Sequence, residues 1–266
     1  MAPKIYLAGS FYNFRDKIIQ ALPDFAFADP RKHRQHSISS LVEDDMNEAE
    51  TSPILLACFP KGKTRGTMTY AEIGASRANG NYIIIADENE RKDELLLNFA
   101  DKTFDEIDQA IEFIKTNKNN IFCSKFKPIN WEKTDLNREV TDIFFAGESP
   151  NLCNSLLTRT DKRIYQPFNL RSFNSFKDMD LTVCHFPEKE DWDRAQIFYM
   201  GASYALQTPI ILLDEKEIPY PPLTGLARRI FRKEEALIEY VQAIKSQRIE
   251  DEAGIMYNLF KKYDHI

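Results

Sequence analysis

Residues 51–90 read TSPILLACFPKGKTRGTMTYAEIGASRANGNYIIIADENE, and residues 178–217 read DMDLTVCHFPEKEDWDRAQIFYMGASYALQTPIILLDEKE. Aligned without a gap, at a constant shift of 127 residues, the two stretches share FP, GAS, A, II and DE at equivalent positions. Each stretch consists of an apolar run, a polar loop, a helical pattern rich in small residues and a second apolar run. Self-similarity over such an ungapped stretch predicts an internal duplication.

The apolar runs are typical of buried strands. Four segments of the first half have this character: KIYLA from Lys4, FAFAD from Phe25, PILLACF from Pro53 and YIIIAD from Tyr82. Helical patterns lie between and after them, namely FRDKIIQAL, SLVEDDMNEAE, TYAEIGASRAN and TFDEIDQAIEFIKTN. Apolar runs without polar alternation, separated by helices, indicate a parallel sheet that helices cover on both faces.

The second half repeats this plan after a polar stretch. DIFFAGE at Asp142 resembles KIYLAGS at Lys4, and KEEALIEYVQAIKSQ closes the second half as an amphipathic helix. The intervening NKNNIFCSKFKPINWEKTDLNRE has turn formers and few periodic apolar positions, which indicates a linker. We therefore predict an α/β protein with two doubly wound, flavodoxin-like or Rossmann-like parallel-sheet domains. They span residues 1–122 and 138–266 and pack as an internal pseudo-dimer.

The composition argues against several classes of function. A formal net charge of −6 at pH 7 predicts no nucleic acid or membrane partner, and no apolar run approaches the length of a membrane span. The N-terminus lacks the apolar core of a secretory signal. The four cysteines are scattered, and His33 and His36 form the one close histidine pair. We predict a cytoplasmic protein without a metal or other cofactor, acting on a small molecule.

The residues that follow the strands are the candidates for chemistry, because ligands of open α/β sheets bind beyond the carboxyl ends of the strands. Four residues follow the first strand, and the loop from Pro60 to Thr67 follows the third. Glu72 lies in the next helix, on the same face as Met68. By position, the substrate-binding candidates are Gly9, Ser10, Phe11, Tyr12, Arg65, Gly66, Thr67 and Met68.

Three segments together resemble a known family. KIYLAGSF, EDDMNEAETSPILLACF and GTMTYAEIGASRANGNYIII are similar to segments of the nucleoside 2-deoxyribosyltransferases and the related nucleotide N-glycoside hydrolases. The resemblance covers most of residues 4–87 and recurs more weakly from 142 to 214. It implies a nucleophile at Glu72 and a proton-handling acid at Asp45. A carboxylate can trap an oxocarbenium-like sugar as a covalent glycosyl-enzyme, and an acid can protonate the departing base.

Several alternatives remain open at this stage. EDDMNEAE is also typical of a solvated acidic helix face, and Asp44 replaces Asp45 if the register slips by one residue. Lys61, Lys63 and Arg65 either face water or clamp a phosphate, so nucleosides and nucleotides are both candidate substrates. Transferase and hydrolase activity, the sugar and the base are equally open.

The chain also departs from the family pattern. Pro53 and Arg65 stand where the family usually has acids, and the element between Thr67 and Glu72 is longer than usual. In the second half Tyr199 occupies the position of Glu72. A phenol is neutral near pH 7 and replaces a carboxylate poorly, which predicts a degenerate second copy.

The sequence thus predicts cleavage or transfer at the N-glycosidic bond of a nucleoside or nucleotide through a covalent glycosyl-Glu72 intermediate. The alternative is an inactive nucleotide-binding sensor or scaffold. Members of the family complete their sites with a neighbouring subunit. By resemblance, a homo-oligomer is a further option, and Tyr257 and Asn258 are candidates for this contribution.

Overall fold

The computed structural model describes residues 3–10, 12–33, 37–118, 139–167, 173–189 and 191–245. The two predicted domain boundaries, at residues 122 and 138, lie outside these ranges and stay predictions. Nearly all of the predicted linker also lies outside the described ranges.

The first half forms a five-stranded parallel sheet in the order β2-β1-β3-β4-β5. Its strands are β1 (Lys4–Ala8), β2 (Ala26–Ala28), β3 (Ile54–Phe59), β4 (Tyr82–Asp87) and β5 (Lys102–Phe104). Its helices are α1 (Phe14–Ala21), α2 (Ile38–Thr51), α3 (Thr67–Ala78), α4 (Glu94–Phe99) and α5 (Ile107–Thr116), with a 3₁₀ turn at Pro30–Lys32.

The second half forms another five-stranded parallel sheet with the equivalent order β7-β6-β8-β9-β10. Its strands are β6 (Asp142–Phe145), β7 (Arg163–Tyr165), β8 (Leu181–Phe186), β9 (Ile210–Asp214) and β10 (Arg229–Phe231). Its helices are α6 (Pro150–Arg159), α7 (Phe173–Phe176), α8 (Arg194–Ala205), α9 (Pro221–Thr224) and α10 (Glu234–Ala243). The predicted fold class, two doubly wound parallel-sheet domains, is confirmed.

The structural equivalence follows the shift found in the sequence. α3 and α8 have the same length and begin 127 residues apart, at Thr67 and Arg194, and the pairs β3/β8, α4/α9, β5/β10 and α5/α10 keep the same offset. The two halves therefore share one topology, register and spacing from the third strand of each sheet onward.

Three layers of apolar side chains hold the two sheets. Alternate residues of β1 show the division, since Ile5 packs with the outer cluster on α1 and α5, and Tyr6 packs with the central cluster. The central cluster also contains Phe144 of β6 and Phe198 of α8, so it is common to both halves. The outer face of the second sheet is covered by α6 and α10. Burial of the shared layer is what joins the halves.

The helices α3 and α8 cross at two glycines. A Cβ atom at Gly74 would lie 1.9 Å from the carbonyl oxygen of Phe198, and one at Gly201 would lie 1.9 Å from that of Ala71. Ala71 and Phe198 are themselves equivalent under the shift of 127, so each half makes the same contact with the other. Such reciprocity is the property of a two-fold interface, here within one chain.

The prediction for the last helix of the first half was wrong at its start. TFDEIDQAIEFIKTN was predicted to be helical throughout, but Thr103 and Phe104 belong to a fifth strand and the helix begins at Ile107. Lys102–Phe104 pairs with the edge of β4 through main-chain hydrogen bonds. Because two of its three side chains are exposed, the strand lacks the apolar run that marks the buried ones.

We expect Gly201→Ala to destabilise the protein by about 1–3 kcal/mol, since the added methyl group meets main chain and the helices must move apart. Alanine has a better helix propensity by about 1 kcal/mol, which offsets only part of this cost. Urea unfolding measures the change in the free energy of unfolding.

Gly225→Ala is the matched control, because its Cβ would lie 3.4 Å from the nearest atom, at a backbone φ of −65°. Its effect should stay within about 0.5 kcal/mol. Equal losses in the two variants would contradict the proposed importance of the crossing.

Candidate active site

A cavity of about 210 Å³ opens beyond the carboxyl ends of β1 and β3. In a sheet of this order, successive strands are added on one side of β1 and then on the other side from β3 onward, and ligands bind at that switch point. Most of the predicted site residues line the cavity: Gly9, Ser10, Asp45, Gly66, Thr67, Met68 and Glu72. The remaining walls come from Pro30, Leu41, Val42 and Thr69, and from Tyr220 and Pro222 of the second half.

Glu72 lies in α3 with 5% of its surface exposed. The Tyr6 hydroxyl donates a hydrogen bond of 2.9 Å to its Oε1. Oε2 is buried and accepts no hydrogen bond from the described residues. An unsatisfied buried carboxylate oxygen is costly, and one that lies beside a cavity can accept a hydrogen bond from a molecule bound there.

The surroundings of Glu72 favour its protonated form. Burial raises the pKa of Glu72 to about 8, and the nearby negative charge of Asp45 contributes in the same direction. The hydrogen bond from Tyr6 and the positive charge of Arg15 oppose this rise. A carboxyl group with this pKa can change its charge near neutral pH.

Asp45 is the second acid of the cavity. Its side chain is about nine-tenths buried, and its Oδ1 lies 2.6 Å from Nδ1 of His33. Burial raises the pKa of Asp45, while His33 lowers it and the charge of Asp44 raises it further. Asp45 lines the cavity, whereas Asp44, the alternative from the sequence, is half-buried and is not part of the wall.

A buried cation supports the wall formed by the loop after β1. Arg15 has no exposed surface, donates a hydrogen bond of 2.8 Å to the carbonyl oxygen of Ser10, and also donates to that of Gly9. Gly9 adopts a φ of +126°, and a Cβ there would lie 2.5 Å from the carbonyl oxygen of Cys58. Only glycine fits this position, so the backbone can pass close to the cavity.

The second half completes the cavity with the loop that precedes α9. Tyr220 lines the cavity, and burial together with the charges of Glu72 and Asp45 raises the pKa of its phenol. The equivalent residue of the first half is Asp93, which reaches the second half. Asp93 accepts hydrogen bonds of 2.8 Å from Arg194 and 2.7 Å from Tyr70. Each half thus contacts the other through an equivalent loop.

Two predicted substrate-binding residues lie away from this cavity. Arg65 donates a hydrogen bond of 2.6 Å to Asp87 and one of 2.8 Å to the carbonyl oxygen of Arg91. The ring of Tyr12 lies 5.0 Å from Nζ of Lys63. The roles predicted for both remain predictions. Phe11, Tyr257 and Asn258 lie outside the described residues.

The second half has a different chemistry at the equivalent position. The ring of Tyr199 lies 4.6 Å from that of Phe144 and 5.1 Å from that of Phe176. Asp180, which stands where the first half has Pro53, is fully buried and accepts hydrogen bonds from the backbone of Thr141 and Asp142. This carboxylate therefore joins two segments of the fold.

Tyr6, His33 and Tyr220 were not predicted from the sequence as site residues. Tyr6 looks like a core aromatic because it stands inside an apolar strand. His33 was considered only together with His36 as a metal pair. Tyr220 is separated from Glu72 by well over a hundred residues, and its only sequence signal is its place in the loop after a strand.

Neither a metal cluster nor a membrane span is found in the described ranges. No group of three or more His, Cys, Asp or Glu side chains is placed there to hold a metal ion. No helix in these ranges has both the length and the apolar character needed to cross a bilayer.

Comparison with known proteins gives no family assignment. No protein-family model matches the chain, and no curated protein sequence matches it. A 2-deoxyribosyltransferase from Bacillus psychrosaccharolyticus is 19% identical over 41% of this chain and 90% of its own, with a TM-score of 0.35. The catalytic subunit of cobaltochelatase from Mycobacterium tuberculosis is 10% identical over 80% of this chain and 21% of its own, with a TM-score of 0.30. Superpositions this loose do not assign a function.

We expect Asp45→Asn to lower the pKa of Glu72, because an amide removes the negative charge that opposes ionisation of its neighbour. Infrared difference spectra, recorded as the pH is varied, follow the protonated carboxyl group. Asp44→Asn is the matched control and should have a smaller effect, since its carboxylate is not among the causes of the shift at Glu72. An unchanged or raised Glu72 pKa in Asp45→Asn would contradict the coupling of the two acids.

Proposed function

We propose that this chain cleaves or transfers at the N-glycosidic bond of a nucleoside, with Glu72 as the nucleophile. The observation that carries the proposal is the pair of buried acids, Glu72 and Asp45, in the wall of one cavity, with an oxygen of Glu72 that accepts no described hydrogen bond. The segments of sequence that resemble the nucleoside 2-deoxyribosyltransferases supply the same two residues for this chemistry.

The two acids have complementary roles in this mechanism. An ionised Glu72 attacks the anomeric carbon as the bond to the base breaks, which gives a covalent glycosyl-Glu72. Asp45, in its protonated form, gives its proton to the departing base. Water or a second base then attacks the glycosyl-enzyme and releases Glu72.

The two acids together hold the one proton that these roles need, and in this mechanism it passes from Glu72, whose surroundings favour the protonated form, to Asp45 before the bond breaks. Burial raises the pKa of both carboxyl groups, and the charge of Asp45 raises that of Glu72 further. Two close buried carboxylates therefore resist double ionisation and share one proton near neutral pH. The reaction needs one carboxylate and one protonated carboxyl group, which together carry a single negative charge.

The cavity favours an uncharged nucleoside over its phosphate. Of the described residues in its wall, two are acids and none is Lys or Arg. Arg65, the nearest candidate for a phosphate clamp in the sequence, is instead bonded to Asp87. A phosphate dianion would be repelled by the carboxylates across a low-dielectric space.

The second half, in this proposal, is a duplicated copy that supports the first without a nucleophile. Its domain would span residues 138–266, and the catalytic domain residues 1–122. Tyr199 packs among aromatic rings at the position of Glu72, and Tyr220 reaches the cavity of the first half. The second half would then take the place that a neighbouring subunit has in the family.

We expect Glu72→Gln to reduce base release from a panel of nucleosides by about a thousandfold or more, because it removes the nucleophile. Chromatography of the free base measures the reaction, with and without an added acceptor base to distinguish transfer from hydrolysis. A 2-fluorinated nucleoside, whose glycosyl-enzyme hydrolyses slowly, should add the mass of the sugar to Glu72.

Glu50→Gln is the control, since Glu50 is also partly buried but lies outside the cavity wall. Nucleoside 5′-phosphates in the panel test the proposed substrate charge. Tight binding of a nucleoside or nucleotide without any base release would contradict the enzymatic function. It would support the alternative, an inactive nucleotide-binding sensor or scaffold.

We expect Tyr220→Ala to raise the KM for the nucleoside about tenfold, which corresponds to about 1.4 kcal/mol of lost contact with the substrate. Tyr220→Phe separates the contribution of the hydroxyl group from that of the ring. Tyr240→Ala is a control in the second half, since this ring packs on Phe231. Steady-state kinetics that do not change in Tyr220→Ala would exclude a contribution of this loop to the site.

A further inference from the structure

We propose that His33 is a positioning residue that acts through Asp45, holding its carboxyl group and stabilising it once its proton has moved to the departing base. The inference deepens the proposed function and rests on it. The contact that points to this role is the distance of 2.6 Å between Nδ1 of His33 and Oδ1 of Asp45.

The surroundings fix both partners of this contact. His33 directly follows the 3₁₀ turn at Pro30–Lys32, whose first residues are tied by hydrogen bonds from Arg31 to Asp29. Asp45 is the eighth residue of α2, a helix with a capping box at its start, so hydrogen-bonded turns hold its backbone on both sides. Both side chains are about nine-tenths buried, so water competes little for the contact.

The direction of the hydrogen bond follows from the chemistry of the two groups. An ionised carboxylate only accepts, so Nδ1 of His33 must carry the hydrogen when Asp45 is ionised. The bond occupies Oδ1 and leaves Oδ2 for the substrate. A donor to Oδ1 also favours the ionised form of Asp45, against the burial that raises its pKa.

The proton transfer can then be written in balance. The bond between the anomeric carbon and the base nitrogen breaks, and its electron pair goes to the base. The proton on Oδ2 of Asp45 moves to the base, while an oxygen of ionised Glu72 bonds to the anomeric carbon. Asp45 becomes a buried carboxylate, and the N–H of His33 meets its new charge with a charge-assisted hydrogen bond.

The role predicts a dependence on the leaving base. Two nucleosides with the same sugar serve as probes, one with an ordinary purine and one with a 7-methylated purine, whose cationic ring leaves as a neutral base without a proton. We expect His33→Ala to reduce kcat/KM for the ordinary nucleoside about tenfold to a hundredfold, part of the usual contribution of general acid catalysis. The loss for the methylated nucleoside should be less than threefold.

Two further variants make the comparison specific. His33→Asn keeps an N–H near the position of Nδ1 and should recover most of the activity on the ordinary nucleoside. Asp45→Asn should show the same dependence on the leaving base, and adding His33→Ala to it should cost little more, because the two residues act as one unit. Thermal unfolding checks that each variant is folded.

The outcomes separate the two proposals. Equal losses of His33→Ala on both nucleosides, or no loss on either, would overturn the role of His33 and leave the role of Glu72 intact. Absence of base release by the unaltered chain from both probes and from the whole nucleoside panel would overturn the proposed function, and the positioning role with it. Nitrogen NMR of His33 tests the contact separately. The Nδ1-protonated tautomer is expected, with a signal that changes in Asp45→Asn, and a ring protonated at Nε2 alone would contradict donation by Nδ1 and with it the positioning role.

Discussion

The close crossing of α3 and α8 is the constraint on which the cavity depends. Gly74 and Gly201 allow main chain to meet main chain, and Glu72 lies only two residues before Gly74 in the same helix. The crossing therefore fixes the position of Glu72 relative to the second half. It also brings the loop with Tyr220 over the cavity, which would otherwise be open on that side. The carboxylate can stay buried because a second sheet layer lies against its helix.

The two halves then differ in what they bury at equivalent positions. In the first half Tyr6 donates a hydrogen bond to Glu72, and in the second Phe144 and Tyr199 pack as rings. Aromatic packing stabilises a core without polar groups to satisfy. A buried carboxyl with an unpaired oxygen destabilises it by several kcal/mol if charged. Stability alone gives no reason for Glu72, and the second half demonstrates that the same backbone accommodates the apolar solution.

The sequence was sufficient for the parts of the fold with strong local patterns. β1, β3 and β4 are apolar runs, and the shift of 127 residues carries through to the last helices of the two halves. The cavity position of Glu72 also followed from the order of elements, because parallel strands end at a common edge. The prediction missed edge strand β5, since three residues, two of them exposed, show no periodicity. His33 and Tyr220 were not predicted as site residues for another reason. Their partners are distant in sequence, and no local pattern encodes such contacts.

The electrostatic balance of the cavity ties its chemistry to its charge. Burial raises the pKa of both Glu72 and Asp45, so the pair resists carrying two negative charges at once. In the proposed reaction, a sugar that becomes positive as its base departs would be attracted by the negative charge of the pair more strongly than the neutral ground state, and this difference would lower the barrier. An added phosphate would oppose it. Arg65 donates a hydrogen bond to Asp87, and the described wall of the cavity has no Lys or Arg whose positive charge could offset the negative charge of the phosphate. The same two acids that would make the bond labile would thus also select the charge of the substrate.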